Sequence, residues 1–257
     1  MLVIALGRIE NYGKIMIQYW ESRARDARGR ERKISKLGRF YYESIADTVN
    51  ESLKPSVILK TDLWNEGIEP ISGNLEDLIR KYNGLGIYGI DISRCVCSEA
   101  YKRLRQVRIV EADIRAIPFK DDAFDTVLDI STCDHLSFAE LPKCLKEYRR
   151  VLRDDGRLIV VFNNCSLYSQ VRGNIQPSRF RWAFPKSSAK KVFCRYFDII
   201  FERSIDLVGW FPFSYRIIRH FPWLLKFIKK VETSGVSKNL DILSQSYMLV
   251  GEIPNKP

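Results

Sequence analysis

From residue 54 onward, short apolar runs alternate with amphipathic stretches, and this rhythm constrains the fold more than any other feature. Short apolar runs bounded by turns are typical of buried parallel strands, and the stretches between them are typical of connecting helices. The pattern predicts an α/β fold with a mostly parallel sheet. Strands are predicted at 56–60, 86–90, 107–110, 126–130, 157–162, 198–203 and 246–251. Helices are predicted at 41–53, 74–82, 93–104, 138–152 and 187–196, the last with Ser187 as its N-cap.

Basic residues outnumber acidic ones, and they are unevenly placed along the chain. Lys and Arg total 42 against 31 for Asp and Glu, a net charge of +11, with most of the excess before residue 51 and after residue 163. A nearly neutral middle with basic flanks fits a catalytic core whose appended segments meet an anionic substrate, nucleic acid or a membrane surface. Charge alone does not choose among these partners.

The cysteines and the longest apolar runs indicate a cytoplasmic protein. The six cysteines include no C-x-x-C pair, so we expect reduced thiols and no metal site. No apolar stretch reaches the roughly 18 residues of a membrane-spanning helix, and charged residues interrupt the first run before any cleavage-like site. Contact with a membrane, if it occurs, is expected to be peripheral.

Informative side chains follow the second and third predicted strands. Ligands of open α/β sheets bind at the carboxyl ends of the strands, which makes these positions candidates for a site. The second strand runs into Asp91 and Ile92, where a carboxylate can accept both hydroxyls of a ribose. The third is followed by Asp113 and Ile114, which are placed to bond an exocyclic amine and to cover a purine face.

The order and spacing of several segments resemble the Rossmann-like class I methyltransferases that use S-adenosylmethionine. The segments are GIDIS, then ADIRAIPFKDDAFDTVLD, then YRRVLRDDGRLIVV, and the resemblance is strongest over 109–161. It implies a seven-stranded sheet with helices on both faces and an antiparallel last strand, here SYMLVGE. It also implies an arm over the cofactor, which here carries Tyr19, Trp20 and Arg23.

The loop after the first strand departs from the family pattern, which has an acidic residue followed by several glycines. Here the stretch reads VILKTDLWNEG, so that Lys60 and Asp62 stand near the expected acid and glycines and Gly67 alone remains. A lysine can meet the cofactor's carboxylate, and Asp62 or Glu66 its ammonium group. Alternatively, the loop no longer binds cofactor.

Three further residues are candidates for the reaction itself, each with a structural alternative. His135 follows the fourth strand and is the candidate base, or else it caps the next helix or only touches the cofactor. Asn163 ends the fifth strand and can hold an acceptor hydroxyl, although turn chemistry also favours Asn. Asp129 ends a buried strand and either faces the cofactor or is satisfied by backbone amides. Asp134, beside His135, either orients that histidine or lies in an exposed turn, and we expect the exposed turn.

Three parts of the chain follow from these assignments. Residues 1–53 form an N-terminal helical arm or lid, and 54–163 form the cofactor-binding core. Residues 164–257 form the substrate side of the same domain, with a helical insertion at about 207–240 that is rich in aromatic and basic residues. After Pro222 the residues Trp223, Leu224, Phe227, Ile228 and Val231 share one apolar helix face, which packs on the sheet, lines a substrate pocket or contacts a membrane surface.

The resemblance implies an S-adenosylmethionine-dependent methyltransferase, and the missing nucleic-acid signatures favour O-methylation of a small or lipid-like acceptor. An RNA methyltransferase is a secondary hypothesis, since the basic arm carries only part of the aromatic and basic pattern that RNA binding needs. A non-catalytic scaffold that kept the fold after losing the glycine loop is the third. The sequence does not indicate an oligomeric state.

Overall fold

The computed structural model describes residues 2–29, 36–54, 57–69, 86–166, 179–207, 221, 223–240 and 242–254. The predicted helix at 74–82 lies outside these residues. The helices are α1 (Leu2–Ala27), α2 (Lys36–Ser52), α3 (Trp64–Gly67), α4 (Arg94–Arg103), α5 (Leu141–Val151), α6 (Lys186–Phe193) and α7 (Trp223–Glu232). Short 3-10 turns at Cys133–His135 and Phe138–Glu140 precede α5.

Seven strands form one sheet, which confirms the predicted fold class. They are β1 (Val57–Thr61), β2 (Gly86–Asp91), β3 (Arg108–Glu111), β4 (Phe124–Ile130), β5 (Leu152–Asn163), β6 (Asp198–Ile205) and β7 (Ser246–Glu252). Their order is β3-β2-β1-β4-β5-β7-β6. β1 pairs in parallel with β2 and β4, while β7 lies antiparallel between β5 and β6.

The sheet is buried on both faces, as continuous apolar strands predict. Leu59 and Val127 pack into one core cluster, and their neighbours Ile58 and Leu128 pack into the cluster on the opposite face. This division follows from the period of two along a strand. The core therefore lies in two layers, and the carboxyl ends of the parallel strands share one edge.

Two predicted boundaries were wrong. The predicted helix at 138–152 and strand at 157–162 leave a gap at 153–156, but these residues are an irregularity within the long β5, where the register shifts between the pairs Phe124–Leu152 and Thr126–Arg157. A bulge keeps the chain in the sheet where turn residues predicted a break. α6 begins at Lys186 with Pro185 in the N-cap position, so Ser187 lies inside the helix rather than capping it.

Helix α1 covers 26 residues of the segment 1–53, for which the sequence predicts a helical arm. Met16 and Ala24 are buried on its inner face, and Tyr19 and Trp20 lie half-buried against the same core cluster as Met16. These positions fall on one side of a helix with 3.6 residues per turn. The arm therefore packs through one stripe onto the edge of the sheet where the parallel strands end.

The apolar face predicted for α7 is buried only in part. Leu224, Leu225 and Ile228 pack against Phe40 of α2, whereas Trp223 and Phe227 are 63% and 57% exposed. The helix has more apolar residues than its contact with α2 can cover. The part of the insertion at 208–220 lies outside the described residues. No helix within the described ranges is both long and apolar enough to cross a bilayer.

Replacement of Gly251 on β7 by Ala tests the packing of the antiparallel strand. A Cβ atom there would lie 2.6 Å from Cε1 of Phe193 and 2.8 Å from Cβ of Phe197. We expect Gly251→Ala to lower the free energy of unfolding by about 1–3 kcal/mol, measured by urea denaturation. Gly235→Ala is the matched control, because nothing lies within 4 Å of its Cβ position. Equal stability of the two variants would contradict this packing.

Candidate functional site

A cavity of about 510 Å³ opens at the carboxyl ends of the parallel strands, between α1 and the sheet. This volume is within the range of small-molecule and cofactor sites. The sequence-predicted residues that line it are Tyr19, Trp20, Asp62, Asp91, Ile92, Asp113, Ile114, His135 and Asn163. The predicted residues that do not line it are Lys60, Glu66, Gly67 and Asp129. The structure thus brings most of the candidates to one place.

Asp91 ends β2 and fixes two loops with its two carboxylate oxygens. Oδ2 accepts the backbone N–H of Leu63 at 2.9 Å, and Oδ1 accepts that of Ser93 at 2.8 Å. Burial and the nearby charge of Asp62 raise the pKa of Asp91 to about 7, against the lowering effect of these two amides. Each oxygen has a lone pair left for a ligand, as ribose hydroxyls require.

Asp113 also lines the cavity, but its carboxylate is already engaged. Arg115 donates to it from its backbone N at 2.8 Å, from Nε at 3.0 Å and from Nη2 at 2.5 Å. The same guanidinium pairs with Glu140. An exocyclic amine that binds Asp113 must therefore share this carboxylate with Arg115. Ile114, buried next to it, presents an apolar surface to the cavity.

Lys60 points away from the cavity and forms a buried ion pair. Its Nζ lies 3.1 Å from Oε2 of Glu66 and also donates to the backbone oxygen of Asp62. Burial opposes the charge on Lys60, but Glu66 and Asp62 raise its pKa on balance. The placement does not support the prediction that Lys60 and Glu66 meet the ends of the cofactor, because each holds the other.

Gly67, the remaining glycine of the divergent loop, is a packing residue. A Cβ atom at this position would lie 2.6 Å from the backbone oxygen of Val96 in α4. The absent side chain allows α3 and α4 to approach closely. The bend that glycines provide in related loops is made here by Asp62, whose φ is 61° and whose Oδ1 accepts the N–H of Trp64 at 2.8 Å.

The turns after β4 and β6 have the same backbone conformation as the turn after β1. Ser131 and Asp206 both have φ near 60° and both line the cavity. Non-glycine residues enter this left-handed region rarely, and such residues cluster where a site constrains the chain. Three strand ends therefore turn sharply at the same rim.

Asp129 is satisfied by backbone amides, which is one of the two roles that the sequence allowed. It is fully buried, and its carboxylate accepts hydrogen bonds from the N–H of Thr132 at 2.8 Å, the N–H of Cys133 at 3.2 Å and the hydroxyl of Tyr148 at 2.7 Å. These bonds fix the turn that carries His135. The residue supports the site from behind rather than contacting a ligand.

His135 is half-buried between the arm and the segment before α6. Its ring lies 4.4 Å from the ring of Trp20, and Nδ1 is 2.9 Å from the backbone oxygen of Phe180. A carbonyl only accepts, so Nδ1 carries the proton and Nε2 is left as an acceptor. Burial lowers the pKa of His135 to about 4, so the ring is neutral near neutral pH.

Asp134 is buried rather than exposed in a turn, which corrects the sequence prediction. Its Oδ2 accepts the N–H of Asn163 at 2.8 Å, and its backbone oxygen accepts the N–H of Trp182 at 3.0 Å. Burial raises the pKa of its carboxyl group to about 8. Asp134 therefore joins the end of β5 to the turn that carries His135.

Several lining residues were not predicted from sequence. They include Tyr41, Trp64, Glu69, Arg179, Arg181, Asp206 and Gln245. Asp206 had a usable signal, because it directly follows a strand that runs parallel to β1. The two arginines lie between β5 and α6 in a stretch without periodicity or motif, so nothing in the sequence marked them.

The family comparison supports the resemblance drawn from the motifs. A family model described as a methyltransferase domain matches residues 72–160, which include β2, β3 and β4. This match and the shared fold confirm the resemblance to class I S-adenosylmethionine-dependent methyltransferases. They imply S-adenosylmethionine as the cofactor.

Individual relatives are similar over part of the chain. A malonyl-[acyl-carrier protein] O-methyltransferase from Halorhodospira halophila is 29% identical over 100 residues, covering 37% of this chain and 33% of the relative. A demethylmenaquinone methyltransferase from Thermotoga maritima is 33% identical over 84 residues, covering 33% of this chain and 36% of the relative. The chain thus matches about a third of the length of these curated relatives.

Solved structures share the fold over nearly the whole chain. A geranyl diphosphate C-methyltransferase from Streptomyces coelicolor superposes with a TM-score of 0.63 at 12% identity, covering 95% of this chain and 98% of that chain. That protein was solved with S-adenosyl-L-homocysteine, Mg²⁺ and geranyl diphosphate. At this identity the likeness establishes the architecture.

Substitution of Lys60 distinguishes a structural ion pair from a ligand contact. Lys60→Met leaves the Glu66 carboxylate buried without its partner, so we expect a loss of about 3–5 kcal/mol in the free energy of unfolding. The double variant Lys60→Met/Glu66→Gln removes both charges and should recover part of that loss. Chemical denaturation of the three proteins measures both effects. If Lys60→Met kept wild-type stability, the ion pair would not be the role of this lysine.

Proposed function

We propose that the protein transfers a methyl group from S-adenosylmethionine to a hydroxyl oxygen of a small or lipid-like molecule. The observation that carries this proposal is Asp91, which lies at the tip of β2 inside the cavity with an acceptor lone pair left on each oxygen. When bound, the cofactor supplies an electrophilic methyl group on a sulfonium. The protein's own work is to hold two reactants in line.

The nucleoside end of the cofactor is assigned to the ends of β2 and β3. Asp91 would accept the two ribose hydroxyls, and Ile92 and Ile114 would contact the adenine faces. Asp113 would accept from the exocyclic amine while it remains paired with Arg115. These residues fit a nucleoside because one carboxylate lies beside an apolar slot at the strand ends.

The methionine end is assigned to the β1 loop and the arm. Asp62 lines the cavity and would meet the ammonium group, since Lys60 and Glu66 are occupied by each other. Arg23 lines the cavity from α1, with its Cζ 6.0 Å from the centre of the Tyr19 ring, and would meet the carboxylate. Trp20 and Trp64, whose rings are 6.1 Å apart, would provide aromatic faces for a sulfonium.

The acceptor is assigned to the side of the cavity lined by His135, Asn163 and Ser131. His135 is neutral, and its Nε2 can accept a hydrogen bond. It would therefore orient the substrate hydroxyl, which would donate a hydrogen bond to Nε2. A group with so low a pKa is a weak base, and alignment accounts for more of its role than proton removal. The buried Asp134 keeps Asn163 beside it.

The aromatic lining and the relatives support an acceptor with apolar character. Tyr19, Trp20, Tyr41 and Trp64 all line the cavity. One relative is a demethylmenaquinone methyltransferase, and another acts on malonyl-[acyl-carrier protein]. Both names indicate lipid-related acceptors, and we extend that class to this chain.

Cofactor binding tests the proposal directly. We expect S-adenosylmethionine and S-adenosylhomocysteine to bind the wild-type protein in calorimetric titrations. Asp91→Ala removes a charge-assisted pair of ribose bonds and should weaken binding by about 2–4 kcal/mol. The control is Glu99→Ala, an acid on α4 that does not line the cavity. No heat from either ligand with folded wild-type protein would favour the non-catalytic scaffold.

Cofactor affinity should also depend on pH through Asp91. Below a pKa of about 7 the free protein holds Asp91 protonated, and a protonated oxygen is a poorer acceptor for ribose. Affinity for S-adenosylhomocysteine should therefore fall as the pH drops below about 7, by up to about tenfold per unit. Asp91→Asn should bind more weakly and lose this dependence. A flat profile for the wild type between pH 5.5 and 8 would contradict the assignment.

A further inference from the structure

Two arginines at the mouth of the cavity have no carboxylate partner within the described part of the chain. Arg179 and Arg181 both line the cavity and are exposed. The ion pairs that the described residues form do not include either of them. By contrast, Arg115, after β3, pairs with Asp113, and Arg150, on α5, pairs with Glu147. A guanidinium that lines a cavity without an internal partner is available to a ligand.

The backbone between them fixes both arginines beside the proposed acceptor position. Phe180 has a left-handed conformation with φ of 50°, and its ring is buried 5.3 Å from the ring of Tyr19. Its carbonyl oxygen accepts the hydrogen bond from His135 Nδ1. Because Phe180 contacts both the arm and His135, the backbone of the neighbouring Arg179 and Arg181 is held next to His135. The charge of Arg181 reaches this turn, since it acts to lower the pKa of both His135 and Asp134.

Five acidic residues line the cavity: Asp62, Asp91 and Asp113 at the ends of β1, β2 and β3, Glu69 after α3, and Asp206 at the end of β6. The cofactor is assigned to the first three of these. The charge of Asp206, at the end of β6, acts to raise the pKa of Tyr41 and of Glu232. Three of the five acidic lining residues therefore lie where the cofactor is assigned, whereas Arg179 and Arg181 flank Phe180, whose carbonyl accepts the hydrogen bond from His135. A guanidinium fork matches the two oxygens of a carboxylate or the oxygens of a phosphate.

We propose that Arg179 and Arg181 bind an anionic group, a carboxylate or a phosphate, on the methyl acceptor. The inference rests on the proposed function and narrows its substrate class to an amphiphilic anion. The apolar body of that molecule contacts the aromatic lining, its hydroxyl reaches His135, and its charged group stays at the exposed mouth. Placing the charge at the mouth avoids burying an ion away from water.

The test compares ligands that share an apolar chain and differ in their head group. Decyl phosphate, decanoate and decanol are titrated into the full-length protein, with and without saturating S-adenosylhomocysteine. The variant is Arg179→Gln/Arg181→Gln. The control is Arg103→Gln/Arg105→Gln, which removes two exposed arginines at the end of α4 that do not line the cavity. Both variants lose the same net charge, so general attraction of anions to a protein of net charge +11 is matched.

The expected result is that at least one of the two anions binds about tenfold or more tightly than decanol. That preference should be lost in Arg179→Gln/Arg181→Gln and kept in the control variant. A stronger preference for decyl phosphate or for decanoate identifies the head group. Equal binding of anions and decanol, or a preference that survives in the variant, would overturn the proposal.

A second titration separates the acceptor from the cofactor's own carboxylate. 5′-Methylthioadenosine lacks the amino acid end of S-adenosylhomocysteine. If Arg179→Gln/Arg181→Gln weakens S-adenosylhomocysteine but not 5′-methylthioadenosine, the arginines hold the cofactor and the inference is wrong. Unchanged affinity for both supports it. A wild-type protein that binds neither nucleoside overturns the proposed function, while the anion comparison without cofactor still decides whether the arginines form an anion site.

Discussion

The cavity exists because the order of the strands reverses at β1. β2 and β3 lie on one side of it, and β4 and β5 lie on the other, so the loops that leave the strand ends diverge. Such a switch point opens a crevice at the carboxyl edge of a parallel sheet. The two candidate poles of the site are separated by this topology, with Asp91 at the end of β2 and His135 after β4. Everything proposed about ligand placement depends on that reversal.

The loop after β1 shows how a site can keep its shape without its usual glycines. Lys60 and Glu66 close the loop with a buried ion pair, Asp62 makes the left-handed bend, and Gly67 allows α3 to approach α4. The N–H of Leu63 then bonds Asp91, which ties the loop to the tip of β2. The loop is thus held by contacts within this chain, and Asp62 and Trp64 are among the side chains that it presents to the cavity.

The sequence predicted the sheet well because strands buried on both faces leave continuous apolar runs. It also predicted most of the acidic side chains at the ends of the parallel strands and His135, because these residues lie at or shortly after strand ends. It failed where side-chain direction decides the role. Lys60 lies next to a strand end, where a lysine can contact a ligand. It pairs with Glu66 instead because α3 brings Glu66 close to it, and the sequence did not predict that short helix. Arg179 and Arg181 follow no period, and α7 offered more apolar residues than its contact could bury.

The attachment of the arm bears on how ligands reach the cavity. Glu21 of α1 accepts hydrogen bonds from Ser93 Oγ at 2.7 Å and Cys95 N at 3.0 Å, at the N-terminus of α4. Burial acts to raise the pKa of Glu21, but these hydrogen bonds lower it overall. The negative charge of Glu21 is also stabilised by the N-terminus of α4.

On the other side of the cavity, Trp20 packs on His135 and Tyr19 on Phe180. Lifting α1 would break all of these contacts together, whereas Arg179 and Arg181 are exposed where the cavity meets solvent. Through these contacts α1 forms one wall of the cavity. An anionic acceptor would enter the cavity past Arg179 and Arg181. The two arginines proposed to bind its charged group therefore also lie at the entrance.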